Sequence, residues 1–223
     1  MVQFLMLLSG ICWTIVYIEI IRKGLKDKTY GMPLFALALN ATWEGLYTFR
    51  DLKSSPILLQ GWINLAWVIF DIIIVFTYFN YGSKEFSEHV DKKHFIPWSL
   101  LVFIMSFTIQ YSFLKEFGNS APEYSAFIQN LIMSVLFINM LVGRKSTEGQ
   151  SHIISICKWL GTLAPTILFG IINGHQLTLI LGIFCSVFDI IYIYYLNSFI
   201  KSSVSRSDST TITYTNSLSA IKS

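Results

Sequence analysis

The sequence predicts an all-α, polytopic membrane protein with seven transmembrane helices. Three observations carry that expectation. Apolar residues make up 53% of the 223 positions, and charged residues only 13%. Soluble domains carry about 25% charged residues. The apolar residues also gather in runs of roughly 17–25, the length that a bilayer core requires. Other classes are poorly served by this composition. The net charge of +3 comes from loop lysines rather than a basic stripe interleaved with aromatics, so no nucleic-acid partner is expected. Cys12, Cys157 and Cys185 sit in apolar segments, without a disulfide framework or metal-ligand spacing.

Each span follows from its own run. The first, 3–21, lacks a basic leader and a small-residue cleavage site, so it is expected to be retained. The second, 32–49, begins after Gly31. The third and fourth are 61–80 and 97–114, and Gly118 separates the fourth from the fifth, 123–142. The sixth, 153–172, and the seventh, 176–200, are joined by an Asn173-Gly174 turn. Residues 1–200 thus read as one seven-helix transmembrane domain. Residues 201–223 are rich in serine and threonine and read as a disordered cytosolic tail.

Basic residues set the orientation. Arg22, Lys23, Lys26 and Lys28 mark the first loop, Lys84, Lys92 and Lys93 the third, and Arg144 and Lys145 the fifth. Lys201, Arg206 and Lys222 lie in the tail. Lys158, one turn into the sixth span, is expected to snorkel to the same interface. That places 13 basic residues on one side against Arg50, Lys53 and Lys115 on the other. The N-terminus is expected outside or in the lumen, and the C-terminus in the cytosol.

A 3+1+3 parallel internal repeat is suggested by one fixed offset of 118. Thr29-Tyr30-Gly31 aligns with Thr147-Glu148-Gly149, and Phe70-Asp71-Ile72-Ile73 with Phe188-Asp189-Ile190-Ile191. Such repeats place functional sites at their interface near the midplane.

The chemistry is concentrated in three acids inside the apolar runs: Glu44, Asp71 and Asp189. No lysine or arginine of those segments stands ready to neutralise them. Ionisable residues at membrane depth are costly, so they mark function by default. Counting at about 1.5 Å per residue puts all three near the bilayer centre. Polar and aromatic neighbours recur at spacings of three or four on the same faces. They are Asn40, Trp43 and Tyr47 around Glu44, Asn64, Trp67 and Tyr78 around Asp71, and Cys185 and Tyr192 around Asp189. The competing explanation for each acid is a hydrogen bond that glues two helices together. Most of the 18 phenylalanines and 11 tyrosines are expected to be packing. Glu19 and Glu123, near span ends, read as ordinary interfacial acids.

Several chemistries lack their signature. No aspartate-rich pair suited to magnesium and diphosphate falls within a span, and no glycine-rich phosphate loop or serine–histidine arrangement occurs. His89, His94, His152 and His175 lie in or beside loops, and no metal site or cofactor is implied.

Thr29-Tyr30-Gly31-Met32, Asn40 and Trp43-Glu44 with Tyr47 resemble the second-span signature of the small integral-membrane terpene cyclases of fungal meroterpenoid and indole-diterpene pathways. Gly149-Gln150-Ser151 leading to Trp159-Leu160-Gly161, and Leu181-Gly182-Ile183-Phe184 before Asp189, look similar too. The resemblance covers about residues 10–200 and implies seven spans. It implies catalytic roles for Glu44 and Asp189. Asp71 departs from relatives that carry an amide there, and it stands as a possible additional acid.

The resemblance implies a cofactor-independent cyclase of the isomerase or lyase type, started by protonation. Its partner would be a lipophilic prenylated small molecule, often epoxidised, held in the lipid bilayer. Asn40, Trp43, Tyr47, Trp67 and Tyr192 would shape the pocket, the aromatic rings stabilising cations. The membrane would be endoplasmic reticulum in a fungus and plasma membrane in a bacterium. The rival expectation is a small-solute or proton-coupled seven-helix transporter, since midplane acids also serve proton relays.

Overall fold

The computed structural model describes residues 1–54, 59–86 and 90–221. His89, Lys222 and Ser223 lie outside the described residues. Among the described residues every regular element is helical. The helices are α1 (Val2–Asp27), α2 (Leu34–Leu52), α3 (Leu59–Phe86), α4 (Phe95–Phe117), α5 (Ala121–Arg144), α6 (His152–Pro165) and α7 (Gln176–Ile221).

Among the described residues five stretches are long and apolar enough to cross a bilayer: Val2–Asp27, Gln60–Phe86, Lys92–Arg144, His152–Ile172 and Gln176–Ser202. That is fewer than the seven expected, for two physical reasons. Only a single turn of 3₁₀ helix, Gly118–Ser120, separates α4 from α5, so they form one apolar stretch. α2 is not among the five, because its 19 residues include Glu44, Arg50 and Asp51.

Local chemistry explains the element ends. α1 and α5 stop at Lys28 and Lys145, both left-handed with φ of 51°. Pro122 sits in the first turn of α5, where its missing N–H costs nothing. Ser151 caps α6 by accepting from the Ile154 N–H. Pro165 also lacks an N–H, and the chain continues beyond it as a wider π-helix, Thr166–Ile172. α7 stays helical through most of the stretch whose composition predicts disorder. No proline or glycine follows Gly182, and extending an existing helix is easier than nucleating one. α3 runs past the expected end of the third span at residue 80 and takes in Gly82.

α1 packs mainly on α6, α2 on α3 and α4, and α5 on α7. Their shared core includes Tyr17, Leu37, Ile74, Phe137, Leu141, Ile154 and Tyr192. At one end, the loops after α1 and α5 cross directly. A Cβ on Gly31 would lie 2.9 Å from the Gly149 carbonyl oxygen, and one on Gly149 (φ +73°) 2.9 Å from that of Tyr30. The Gly149 N–H donates to Asp27 Oδ2 (2.9 Å), and Arg144 Nη1 donates to the Tyr30 carbonyl (2.9 Å). Arg144 Nε also donates to Glu85 Oε2 (2.9 Å). Burial pushes the Tyr30 phenol up to about 12, so it stays neutral beneath the Arg144 guanidinium, 4.2 Å above its ring. At the other end, Glu123 of α5 meets the α6–α7 turn. It lies 2.8 Å from His175 Nδ1 and accepts from Thr178 Oγ1 (2.6 Å).

Candidate active site

Asn40 and Glu44 are one turn apart on α2, so their side chains share a face. That face meets Tyr17 of α1 and Asp71 of α3. The Asn40 amide nitrogen donates to Asp71 Oδ2 (3.0 Å) and to the Tyr17 hydroxyl oxygen (2.6 Å). Tyr17 in turn donates its own proton to Glu44 Oε1 (3.1 Å). All four side chains are buried: Glu44 is 3% exposed and Asp71 1%. Trp67 covers the group, its ring stacked 6.0 Å from that of Tyr17 and its Nε1 donating to Thr14 Oγ1 (3.1 Å). Among the described residues no lysine or arginine bonds Glu44 or Asp71, and Glu44 Oε2 and Asp71 Oδ1 have no hydrogen-bond partner.

Asp189 is held elsewhere, with a different partner. Lys158 Nζ lies 2.6 Å from Asp189 Oδ1 and donates also to Ser134 Oγ (2.7 Å). Lys158 and Asp189 are both 0% exposed. This corrects two expectations. Lys158 does not snorkel to an interface, and Asp189 does have a neutralising cation. The physical reason is geometric. Lys158 lies fifteen residues before Asn173 and Asp189 fifteen after Gly174, so a helical hairpin brings them level. The sequence places Lys158 in the sixth span but does not show that α7 sets an acid level with it. Asp189 Oδ2 is unpartnered, as one oxygen is on each of the other acids. An apolar interior makes every such unmade bond costly.

The expected pocket residues divide among several places. Asn40 and Trp67 join the Glu44–Asp71 centre. Trp43 Nε1 instead donates to Ser125 Oγ (3.1 Å) and the Pro122 carbonyl (3.2 Å) of α5, and the Tyr47 hydroxyl lies 3.5 Å from the same Ser125 Oγ. Ser125 borders a cavity of about 230 Å³ between α2, α4 and α5, which Phe35, Leu39, Ile109, Gln110 and Gln129 also line. Inside the protein there, Gln110 Nε2 donates to Gln129 Oε1 (2.7 Å), leaving Gln110 Oε1 without a partner. Tyr192, one turn beyond Asp189, donates to Gln150 Oε1 (2.8 Å) and sets its ring edge against Phe137, 5.6 Å between centroids. Asn64 accepts from Gln60 (2.7 Å), and the Tyr78 hydroxyl pairs with Ser99 Oγ at 3.0 Å. Glu19 pairs with Arg22 at 2.6 Å.

Tyr17 and Lys158 are the functional candidates that sequence reasoning missed. Among the described residues no three histidine, cysteine, aspartate or glutamate side chains could share a metal ion.

A helical membrane protein with carboxylic acids buried between its helices is the class that this fold and site define. The family model describing Pyr4-like transmembrane terpene cyclases matches residues 1–201. The chain therefore belongs to the Pyr4-like transmembrane terpene cyclases. It is 32% identical over 168 residues to the Pyr4-family terpene cyclase mfmH of Annulohypoxylon moriforme, covering 74% of this chain and 68% of that one. It is 25% identical over 204 residues to the terpene cyclase pyr4 of Aspergillus fumigatus, covering 86% and 83%. Asnovolin H synthase nvfL of Aspergillus novofumigatus is 26% identical over 162 residues, covering 71% of this chain and 65%, just under two thirds, of that protein. No solved structure matches.

Proposed function

We propose that this chain is a membrane terpene cyclase that starts cyclisation of a lipophilic prenylated substrate by proton donation from Glu44. The observation that carries this is the buried, cation-free pair of acids, Glu44 and Asp71. An ionised carboxylate is costly in an apolar interior without a cation. Each of these carboxyls accepts one donor on one oxygen, which leaves Glu44 Oε2 and Asp71 Oδ1 to carry a proton. Glu44, hydrogen-bonded through Tyr17, is the general acid for an epoxide oxygen or terminal alkene. Asp71 is the additional acid beside it. The electron pair of the first double bond attacks the activated carbon, and successive double bonds follow. Trp67, beside the acids, offers a ring to developing cations, whereas Trp43, Tyr47 and Tyr192 lie apart from them. The dry interior keeps water from intercepting them. No cofactor is needed for this isomerisation.

The architecture proposed is seven spans, with α4 and α5 crossing separately and α2 as the seventh crossing, its buried polar residues facing its neighbours, and a 3+1+3 parallel repeat. The crossing of the Gly31 and Gly149 loops supports it, since both must then lie on one membrane face. The basic-residue bias makes that face cytosolic and the N-terminus outside or lumenal, in endoplasmic reticulum in a fungus and plasma membrane in a bacterium. The transporter reading gains nothing from the relatives, which are named as cyclases and a synthase.

The test is mass-spectrometric. Membranes holding the wild type, Glu44→Gln or Asp189→Asn are incubated with epoxidised and plain prenyl-aromatics. The wild type should yield an isobaric product of shifted retention, and both variants should lose it while remaining in the membrane. Full conversion by both variants would remove the assigned roles.

A further inference from the structure

The Lys158–Asp189 pair and the Asn40–Asp71 pair occupy equivalent places in the two halves of the chain. Adding 118 to Asn40 and Asp71 gives Lys158 and Asp189. In each case the nitrogen of the middle helix donates to the aspartate of the third, at 3.0 Å in one half and 2.6 Å in the other. Each nitrogen also donates to a hydroxyl of the first helix: Tyr17 at 2.6 Å, Ser134 at 2.7 Å. Those hydroxyl residues are 117 apart, and so are Lys28 and Lys145, the left-handed residues that close α1 and α5. One extra residue, Ser146 in the loop after α5, accounts for the change of offset. Glu44 plus 118 is Thr162, whose hydroxyl accepts from Asn130 (2.8 Å).

The two centres thus share a scaffold and differ in charge. The first has two carboxyls and a neutral amide. The second has one carboxyl, a hydroxyl in the place of Glu44, and an ammonium in the place of the amide. We propose that Lys158 is a positioning residue that holds Asp189 as a carboxylate with Oδ2 presented as a proton acceptor, so that the two halves do opposite proton work. This rests on the cyclase reading. The first centre gives a proton to the substrate and the second takes one from the cyclised cation. The C–H bond beside the cationic carbon breaks, its electron pair becomes a C=C bond, and its proton goes to Asp189 Oδ2. The proton is released from Asp189 and Glu44 is reprotonated before the next turnover. Product and substrate are isomers, and no oxidant is involved.

The amide of the first half suggests the probing substitution, Lys158→Asn. Purified protein in nanodiscs is compared as wild type, K158N, D189N, K158N/D189N and K158R, by infrared difference spectroscopy of the protonated-carboxyl C=O band and by conversion of the prenyl-aromatic panel. K158N should gain a protonated-carboxyl band that the double variant lacks, while the wild type and D189N match in that band. K158N should convert at least tenfold less substrate than the wild type, with K158R restoring most of the activity. A band present in the wild type and lost in D189N would overturn the proposal, because Asp189 would then be protonated beside Lys158. Full conversion by folded K158N would overturn it too. Should K158N fail to fold, the wild type against D189N and the activity of K158R still decide. Cyclisation by the wild type tests the underlying reading and the band tests Lys158, so the two fail separately.

Discussion

Tyr17 has one hydroxyl and two tasks: it accepts from Asn40 and donates to Glu44. Removing it should therefore disconnect Glu44 from Asp71 without opening a large cavity, because the ring remains stacked on Trp67. Leaving buried partners unsatisfied costs about 1–3 kcal/mol. Tyr17→Phe should retain its fold and lose roughly ten- to hundredfold in conversion rate, at about 1.4 kcal/mol per tenfold. Single-turnover conversion against the wild type checks this, and an unchanged rate would show that Tyr17 merely packs. Glu44, Asp71 and Asp189 were legible in the sequence because charge is rare in apolar runs. Tyr17 was not, since a tyrosine in an apolar helix looks the same whether it packs or donates. Trp43 and Tyr47 share the helical spacing of Glu44, yet they bond toward α5. A spacing of three or four gives a shared stripe wide enough to meet two different neighbours.

At the scale of the element, the α6–α7 hairpin sets the level of Lys158 against Asp189. Its close contacts are made by glycine. A Cβ on Gly182 would overlap the side chain of Thr166, and one on Gly170 would lie 2.8 Å from Leu179 Cα. Thr166 opens the π-helical segment and its hydroxyl donates to the Thr162 carbonyl (2.7 Å), so it cannot simply rotate away without losing that bond. Gly182→Ala should destabilise the protein by about 1–3 kcal/mol, the usual effect of overpacking. Gly10→Ala, where nothing lies within 4 Å, is the control and should be unchanged or slightly stabilised. Thermal unfolding in detergent distinguishes them, and equal midpoints would mean that the hairpin relaxes freely. The hairpin itself was readable from the Asn173-Gly174 turn. The π-helix was not, because Pro165 announces a disturbance but not the form that it takes.

Across the whole molecule, two facing ends organise everything. The loops after α1 and α5 interlock, and Glu123 binds the α6–α7 turn at the far end. The order of the seven helices was plain from the sequence, but only five stretches of the described residues are apolar enough to cross a membrane, because α4 and α5 run together and the acids and arginine of α2 lower its apolarity. The sequence offset of 118 suggests a repeat on six identities, but Asn40 and Lys158, which it also pairs, share no chemistry that a comparison of letters would score. The contact between the loops after α1 and α5 puts both at one end of the molecule, and the sidedness proposed for that end is open to direct measurement. With Cys12, Cys157 and Cys185 replaced by alanine, single cysteines are placed at the exposed positions Lys28, Lys145, Lys53 and Lys115. If α2 crosses the bilayer, Lys28→Cys and Lys145→Cys should react with a membrane-impermeant thiol reagent from the cytosolic face. Lys53→Cys and Lys115→Cys should react only from the opposite face. Labelling of Lys28→Cys and Lys53→Cys from one face would mean that α2 does not cross. Glu44 would then sit beside the interface rather than at membrane depth, and water could reach the acid on which the proposed chemistry depends.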